Sequence, residues 1–454
     1  MLSSHLSGTE VAAPATASPP LRRSSRGGRS TRPHSHNYKW GVLGIGFAAQ
    51  AAFSVAFQGI PVTGPLMQTA YHLTTGQLGL VLSFMSLGIA VSDVGWGILT
   101  DRVGERRILV LGLFGLAAAL GMCAVFLVPA GSTIPAVALL SLGLLVAGAL
   151  GGSVNGASGR AIMAWFQKNE RGFAISVRVT AVPVGGAIGA ATLPFVALHG
   201  GFRGVFVLLT VVSLVAAAVT YRWLDEPPIA RPVAGRDGSP AVSATRSPLG
   251  VLNVWRVAIA SGLLTCPQFV VLTFGAVFLH SAKGVGIGTI AVLLVAVQVL
   301  GAISRVWGGR WTDKRDGRLR RSLVKAQGWV ITAGFLGVAI FERSPAIVVV
   351  VLLGLAGVVA CGWHGVAYAE IAEIAGPERS GTALGLENTM VFSGAFITPV
   401  LIPIVLAGSS WSVTMLVLGA APALLAVLLM PREERVTGAD DANPVAAEKV
   451  LAGR

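Results

Sequence analysis

Long apolar runs follow one another along almost the whole chain, separated by short polar segments. A helix needs about 20 apolar residues to cross the hydrocarbon core of a bilayer, and twelve runs have about this length. The runs are 40–62, 75–99, 108–129, 134–163, 172–198, 205–223, 254–280, 286–308, 322–341, 346–369, 381–407 and 411–430. The pattern predicts an all-α membrane protein with twelve transmembrane helices.

A polar segment rich in Pro, Gly and Ser, at 224–253, divides the runs into two sets of six. Such a composition is typical of a linker. We therefore expect two six-helix bundles, at 40–223 and 254–430.

The composition agrees with a lipid environment. Apolar residues make up 54% of the 454 residues and charged residues 12%, whereas soluble domains carry about 25% charged residues. Residues 1–39 are rich in Ser, Pro, Gly and Arg and contain no apolar core, so we expect a disordered basic tail rather than a cleaved signal. Residues 431–454 are expected to form a second tail.

The net charge of +14 is explained by topology. Of the 34 Lys and Arg residues, 29 lie in the two tails, in and around the linker, and near the loops that follow the second, fourth, eighth and tenth runs. Because basic loops stay on the cytoplasmic side, both termini are predicted to be cytoplasmic, in a multi-pass protein of the plasma membrane. The expected partner is the bilayer, and no nucleic acid is expected.

The two halves repeat each other. The segment SDVGWGILTD at 92–101 in the second run matches SRVWGGRWTD at 304–313 in the eighth, and a short basic loop follows each segment. The pair Glu-Arg also precedes both the fifth and the eleventh runs, at 170–171 and 378–379. Repeated halves are typical of secondary transporters, in which the substrate site lies between them.

The segment GILTDRVGERR at 97–107 resembles the loop between the second and third helices of major facilitator superfamily transporters, G-x-L-x-D-R-x-G-R-R/K. A weaker copy lies at the matching loop of the second half. The resemblance implies two pseudosymmetric bundles that work by alternating access, with no enzymatic activity and no cofactor. It implies a gating latch made of Gly97, Asp101, Arg102, Gly104, Arg106, Arg107 and Asp313.

A carboxylate is stabilised at a helix N-terminus, where unpaired amides carry partial positive charge. The resemblance implies that Asp101 docks on the start of the eleventh helix, near Arg379 and Gly381. Asp313 would dock on the start of the fifth, near Arg171 and Gly172. A simple positive-inside anchor is the alternative, but it explains the arginines without the aspartates.

Four ionisable residues lie within the runs, where charges are costly and often functional. Asp93 and Arg305 precede the two latch aspartates by eight residues each, and Arg178 and Glu387 lie at a similar depth. The family arrangement would bring Asp93 near Glu387, and Arg178 near Arg305. We predict that the arginines bind an anionic substrate and that the carboxylates carry the coupling proton. The alternative is that each charge pairs within its own half and stabilises a gate.

Uncharged polar groups lie on the runs that resemble the cavity-lining helices. Amides and a histidine can orient a ligand by hydrogen bonds, although each can also serve as a tie between helices. The predicted substrate-binding residues beside the two arginines are Gln50, Gln58, Asn155, Gln268 and His364.

Other function classes lack their sequence signals. Cys123, Cys266 and Cys361 lie in apolar runs without metal-ligand spacing, and no metal is expected. The chain contains no Gly-rich phosphate loop, so a membrane enzyme or an ATP-driven pump is not indicated. A sensor built on a transporter scaffold is the remaining non-transport alternative.

The cargo is predicted from few residues. Arg178 to Gly186 and Gly362 to Glu370 resemble a bacterial group that includes nitrate/nitrite, cyanate and organic-anion permeases. Together with the membrane arginines, this favours proton-coupled uptake of a small anion by a functional monomer. The segment AVPVGG at 181–186 matches only part of the family's antiporter motif, G-P-x-x-G-G. The alternative is a proton-driven exporter of a small amphipathic metabolite or drug.

Overall fold

The computed structural model describes residues 37–130, 133–225 and 247–432. Helices account for nearly all of these residues, as the apolar runs predict. We number the membrane-crossing helices α1 Tyr38–Val62, α2 Thr75–Val103, α3 Glu105–Phe126, α4 Val137–Trp165, α5 171–200, α6 202–223, α7 Leu252–Ala282, α8 Ile287–Asp313, α9 Arg320–Ile340, α10 Ala346–Ala375, α11 Ser380–Ala407 and α12 Trp411–Leu429. The predicted tail and linker residues 1–36, 226–246 and 433–454 lie outside the described residues.

The helices α5 and α6 are joined with almost no loop. Length and hydropathy give eleven candidate spans in the described residues, one of them the 56-residue stretch Lys168–Trp223. At 1.5 Å per residue this stretch would extend about 84 Å, far more than the roughly 30 Å of hydrocarbon. Gly201, with φ 60° and ψ −171°, interrupts the helical backbone, and glycine adopts this conformation at little cost. The stretch therefore crosses twice, and the described chain has twelve crossings.

Buried apolar side chains form two clusters. One is drawn from α1 to α6 and extends to Leu224. The other is drawn mainly from α7 to α12 and also includes Leu43 of α1, the end of α4 and the start of α5. Large apolar residues such as Val91, Val292 and Leu355 are more than 60% exposed, as expected for side chains whose solvent is lipid. The fold is thus two pseudosymmetric six-helix bundles, called here the N-half and the C-half.

Glycines allow the closest helix contacts. A Cβ at Gly88 would lie 2.0 Å from the Leu145 carbonyl oxygen, and one at Gly148 would lie 2.1 Å from that of Met85. The backbones of α2 and α4 therefore touch, which is the usual role of small residues in membrane bundles.

Several helices are interrupted near mid-membrane. In α4 the break is at Gly152, in α5 at Thr180, and in α10 at Cys361 to Trp363. In α7, Pro267 precedes a π-helical turn at Val270–Phe274. Interruptions of this kind free backbone groups for contacts between helices.

Candidate functional site

A cavity lies between the two halves and contains about 770 Å³ of empty space, part of it open to solvent. It is lined from the N-half by α1, α4 and α5, and from the C-half by α7, α8, α10 and α11. All seven predicted substrate-binding residues line it, namely Gln50, Gln58, Asn155, Arg178, Gln268, Arg305 and His364. Their role in binding stays a prediction, but the structure brings them to one place.

Arg178 of α5 is held by neutral groups. Its Nη1 donates to Gln50 Oε1 at 3.0 Å, to Ser158 Oγ at 3.1 Å and to the Asn155 carbonyl at 3.4 Å. The side chain is 2% exposed, and no carboxylate oxygen of the described residues lies within 4.0 Å. A buried cation without a carboxylate in direct contact is costly, so this site is suited to an anionic ligand.

A hydrogen-bonded chain links Arg178 to Asp93. Gln50 accepts from Arg178 and donates through Nε2 to Asn155 Oδ1 at 3.1 Å, and Asn155 donates through Nδ2 to Asp93 Oδ2 at 3.1 Å. Asp93 is 1% exposed, and its Oδ1 has no hydrogen-bond partner in the described chain. Gln50 and Asn155 thus connect the cavity to a buried carboxylate.

Arg305 of α8 donates to backbone carbonyls from both halves. Its Nε and Nη2 reach the Cys361 carbonyl at 3.1 and 2.7 Å, and its Nη1 reaches the Val179 carbonyl at 3.1 Å. Its Nη2 also lies 3.4 Å from His364 Nδ1. The His364 ring stacks on the buried Trp363 ring at 3.8 Å between centroids, which fixes the histidine at the cavity wall.

Glu387 of α11 is fully buried and accepts a hydrogen bond from Ser261 Oγ at 2.6 Å. Its Oε2 has no hydrogen-bond partner in the described residues. Within the same residues, neither Asp93 nor Glu387 has a basic nitrogen within 4.0 Å. Each carboxylate is hydrogen-bonded within its own half, Asp93 to Asn155 and Glu387 to Ser261.

Three further polar residues line the cavity and were missed from sequence. Tyr368 of α10 donates to Asn388 Oδ1 at 2.6 Å, and Gln298 of α8 accepts from the Cys361 thiol at 3.9 Å. Periodicity could have found two of the three, since Tyr368 follows His364 by four residues and Gln298 precedes Arg305 by seven.

The end of α2 is fixed to the start of α11. Asp101 accepts from the backbone amides of Gly381 at 2.9 Å and Thr382 at 2.7 Å, and from the Thr382 hydroxyl at 2.5 Å. The nearby basic group is Arg160, whose Nε lies 3.2 Å from Asp101; Arg160 also pairs with the buried Glu105. The carboxylate therefore caps α11, with an arginine of α4 beside it.

The end of α8 contacts the start of α5 in the same way. Asp313 accepts from the amides of Gly172 at 3.0 Å and Phe173 at 2.6 Å. Its basic partner is Arg320, at 3.0 Å. Arg171 instead pairs with Glu373 of α10 at 2.9 Å. The pseudosymmetry of the sequence is thus repeated in the contacts.

The remaining residues of the predicted latch have different surroundings. A Cβ at Gly97 would lie 2.3 Å from the Gly381 carbonyl oxygen, and Gly104 has φ 101° at the turn into α3. Arg106 donates to the Tyr221 carbonyl at 2.6 Å, whereas Arg102 and Arg107 are exposed. Gly97 and Asp101 therefore form the contact with α11, whereas Gly104 lies at the turn between α2 and α3.

These contacts lie on the side of the bundle that carries the described chain ends, called here the terminal side. Both aspartate caps and the Arg171–Glu373 pair join the N-half to the C-half there. On the terminal side the two halves are therefore in direct contact.

A family model described as Major Facilitator Superfamily matches residues 46–367. The chain belongs to the Major Facilitator Superfamily. The family resemblance of the segment 97–107 and the predicted fold are thereby confirmed. The family is one of membrane transporters, which are not enzymes.

Similar proteins align with most of the length of this superfamily member. An uncharacterized MFS-type transporter of Mycobacterium tuberculosis is 30% identical over 403 residues, covering 88% of this chain and 87% of that protein. A protein of Cupriavidus necator named as the probable sulfoacetate transporter SauU is 27% identical over 362 residues, covering 75% and 81%. The solved structure of the proton:xylose symporter XylE is 17% identical, with a TM-score of 0.71, covering 87% and 96%.

Proposed function

We propose that this chain is a secondary active transporter that takes up a small organic or inorganic anion together with protons, by alternating access. The observation that carries the proposal is the pair of cavity arginines. Arg178 and Arg305 are both buried and have no carboxylate partner among the described residues. An anionic substrate would supply the missing negative charge, and charge-assisted hydrogen bonds to guanidinium are strong.

Proton coupling is proposed for Asp93 and Glu387. Both are buried without a basic partner within the described chain, and an unpaired buried carboxylate is costly to ionise. Asp93 adjoins the α2–α11 contact, since a Cβ at Gly385 would lie 2.3 Å from its carbonyl oxygen. The hydrogen bonds through Asn155 and Gln50 would let the charge of Asp93 respond to whether an anion is bound at Arg178.

The orientation follows from the basic loops. Asp101 and Asp313 close the terminal side, where most loop Lys and Arg residues lie. We place this side in the cytoplasm of the cell, in the plasma membrane, and assign the transport activity to a single chain. The cavity would then receive its substrate from outside.

The test is the thermal midpoint of the purified protein against small anions, sugars, amino acids and lipophilic cations. A ligand at 100 times its Kd adds about 2.7 kcal/mol of apparent stability. We expect an anion to stabilise the wild type and the Arg310→Ala control, an exposed arginine of the same helix. The same anion should not stabilise Arg305→Ala.

Stabilisation of all three proteins alike by lipophilic cations or neutral amphiphiles, with no response to anions, would favour the exporter. A sugar or amino acid that stabilises Arg305→Ala as well as the wild type would contradict the arginine site.

A further inference from the structure

Arg305 bridges the two halves at the floor of the cavity. Two of its nitrogens bond the Cys361 carbonyl of its own half, and its Nη1 bonds the Val179 carbonyl of the N-half. The side chain is 5% exposed and lines the cavity. The bond to Val179 must break when α5 and α8 separate on the terminal side.

Both carbonyls lie at interruptions of their helices. The first segment of α5 ends at Val179, and Pro183, four residues later, has no amide hydrogen to donate to the Val179 carbonyl. The first segment of α10 ends at Ala360, just before Cys361. The C-terminal end of a helical segment carries partial negative charge. The guanidinium is therefore stabilised between two helix ends without a carboxylate.

The neighbouring contacts depend on the close approach of α5 to both α8 and α10. A Cβ at Gly309 of α8 would lie 2.4 Å from the Gly172 carbonyl oxygen of α5, and one at Gly365 of α10 would lie 2.0 Å from Ser176 Oγ. Movement of α5 away from Arg305 would therefore loosen all of these contacts between α5 and the C-half, including the cap formed by Asp313.

We propose that Arg305 is an interlock that bonds either the Val179 carbonyl or the anionic group of a substrate. In the empty cavity it holds α5 through the carbonyl that Pro183 leaves without a helical donor. A carboxylate, sulfonate or phosphate group that reaches the cavity floor is a stronger acceptor for guanidinium than a neutral carbonyl. The anionic group accepts the hydrogen bond from Arg305 Nη1 in place of the Val179 carbonyl, and this exchange releases α5 from α8. The ligand step rests on the proposed anion transport, whereas the bond between the halves does not.

The interlock is tested first without any ligand. Spin labels at Asn169→Cys and Lys314→Cys, exposed positions on the two halves at the terminal side, report the distance between α5 and α8. The background lacks the three native cysteines. Pro183→Ala supplies an amide for the Val179 carbonyl and keeps every charge. We expect it to raise the separated population about three- to tenfold, the scale of one hydrogen bond. Pro194→Ala, in the same helix but outside the cavity lining, is the matched control and should leave the distribution unchanged.

Combining Pro183→Ala with Arg305→Gln gives a double-mutant cycle, in which each substitution is measured alone and together with the other. If both substitutions act through one bond, Pro183→Ala should have no further effect in the Arg305→Gln background. The interlock is wrong if Pro183→Ala behaves like Pro194→Ala, or if its effect is the same with and without Arg305, since a changed bend in α5 would then account for it.

Sulfoacetate at millimolar concentration is the anion probe, and we expect it to increase the separated population in the wild type and not in Arg305→Gln. If the ligand-free cycle holds and sulfoacetate, phosphate and benzoate all leave the wild type unchanged, the bond between the halves stands and the anion proposal fails. If an anion increases the separated population of the wild type, but the effects of Pro183→Ala and Arg305→Gln simply add, the anion site stands and the interlock fails.

Discussion

Asp101 accepts hydrogen bonds from the backbone amides of Gly381 and Thr382 in the first turn of α11, at 2.9 and 2.7 Å. The carboxylate belongs to the N-half and the amides to the C-half. Since a helix N-terminus carries partial positive charge, the two halves cannot separate here without exposing both groups or leaving them unpaired. This contact joins the two halves on the terminal side.

Replacement of Asp101 by Asn should open the terminal side. The amide retains one acceptor, loses the charge and turns an NH2 group toward backbone N–H donors. Hydrogen bonds to a charged group contribute about 1.5–3 kcal/mol, so we expect a tenfold or larger increase in labelling of a cysteine placed at Gly156, which lies beside Gly381 behind this contact. The control is Asp316→Asn, an exposed aspartate of the α8–α9 loop. Equal labelling of the two variants would contradict a gating role for Asp101.

Gly97→Ala should force α2 away from α11. The added Cβ would lie 2.3 Å from the Gly381 carbonyl oxygen, whereas at Gly95 of the same helix nothing lies within 4 Å. Overpacking costs about 1–3 kcal/mol, so we expect a thermal midpoint several degrees lower and greater labelling of the terminal side. Gly95→Ala should be neutral or slightly stabilising, because alanine has the higher helix propensity. If both variants have the wild-type midpoint, the contact is looser than the structure indicates.

Asp93→Asn should uncouple transport from the proton gradient. The neutral amide removes a protonatable group while keeping a partner for Asn155. In proteoliposomes we expect the loss of gradient-driven accumulation, with exchange of labelled for unlabelled substrate retained within about threefold. Asn155→Ala should produce part of this loss, since it removes the hydrogen bond between Asn155 and Gln50. Full proton-driven accumulation by both Asp93→Asn and Glu387→Asn would rule out coupling through these carboxylates.

Arg171 and Lys168 should differ although both face Glu373. Arg171 lies 2.9 Å from Glu373, is largely buried and also donates to the carbonyls of Phe166 and Met163. Lys168 lies 3.6 Å from Glu373 with a side chain that is 63% exposed. Exposed pairs contribute about 0–1 kcal/mol. We expect Arg171→Ala to lower the thermal midpoint clearly and Lys168→Ala to change it by a degree or less. A similar loss in both variants, removed by high salt, would show that surface charge alone is responsible.

The helix count and the family could be predicted from the sequence because each span is a local property. About 20 apolar residues must follow one another to cross the bilayer, and the segment 97–107 is short and contiguous. The docking of Asp101 on the start of α11 was implied by the resemblance, and the structure shows this contact. The helix pattern alone could not identify Arg160 as its basic neighbour, since the two residues are 59 positions apart.

The partners of the membrane charges were decided by packing. Sequence spacing placed Asp93, Arg178, Arg305 and Glu387 at similar depth, because the rise per residue of a helix is fixed. It could not give their rotation about the helix axes or the bonds to neutral groups that result.

By itself, the sequence determined twelve crossings, two related halves and a cluster of charges in the membrane, since hydropathy and repeats act along the chain. Only the tertiary structure decided that Arg305 bonds the Val179 carbonyl and that Gln50 and Asn155 connect Arg178 to Asp93. Those bonds join helices whose residues are up to 128 positions apart. They depend on breaks in α5 and α10 that free backbone carbonyls, and on the close approach of helices that small residues allow.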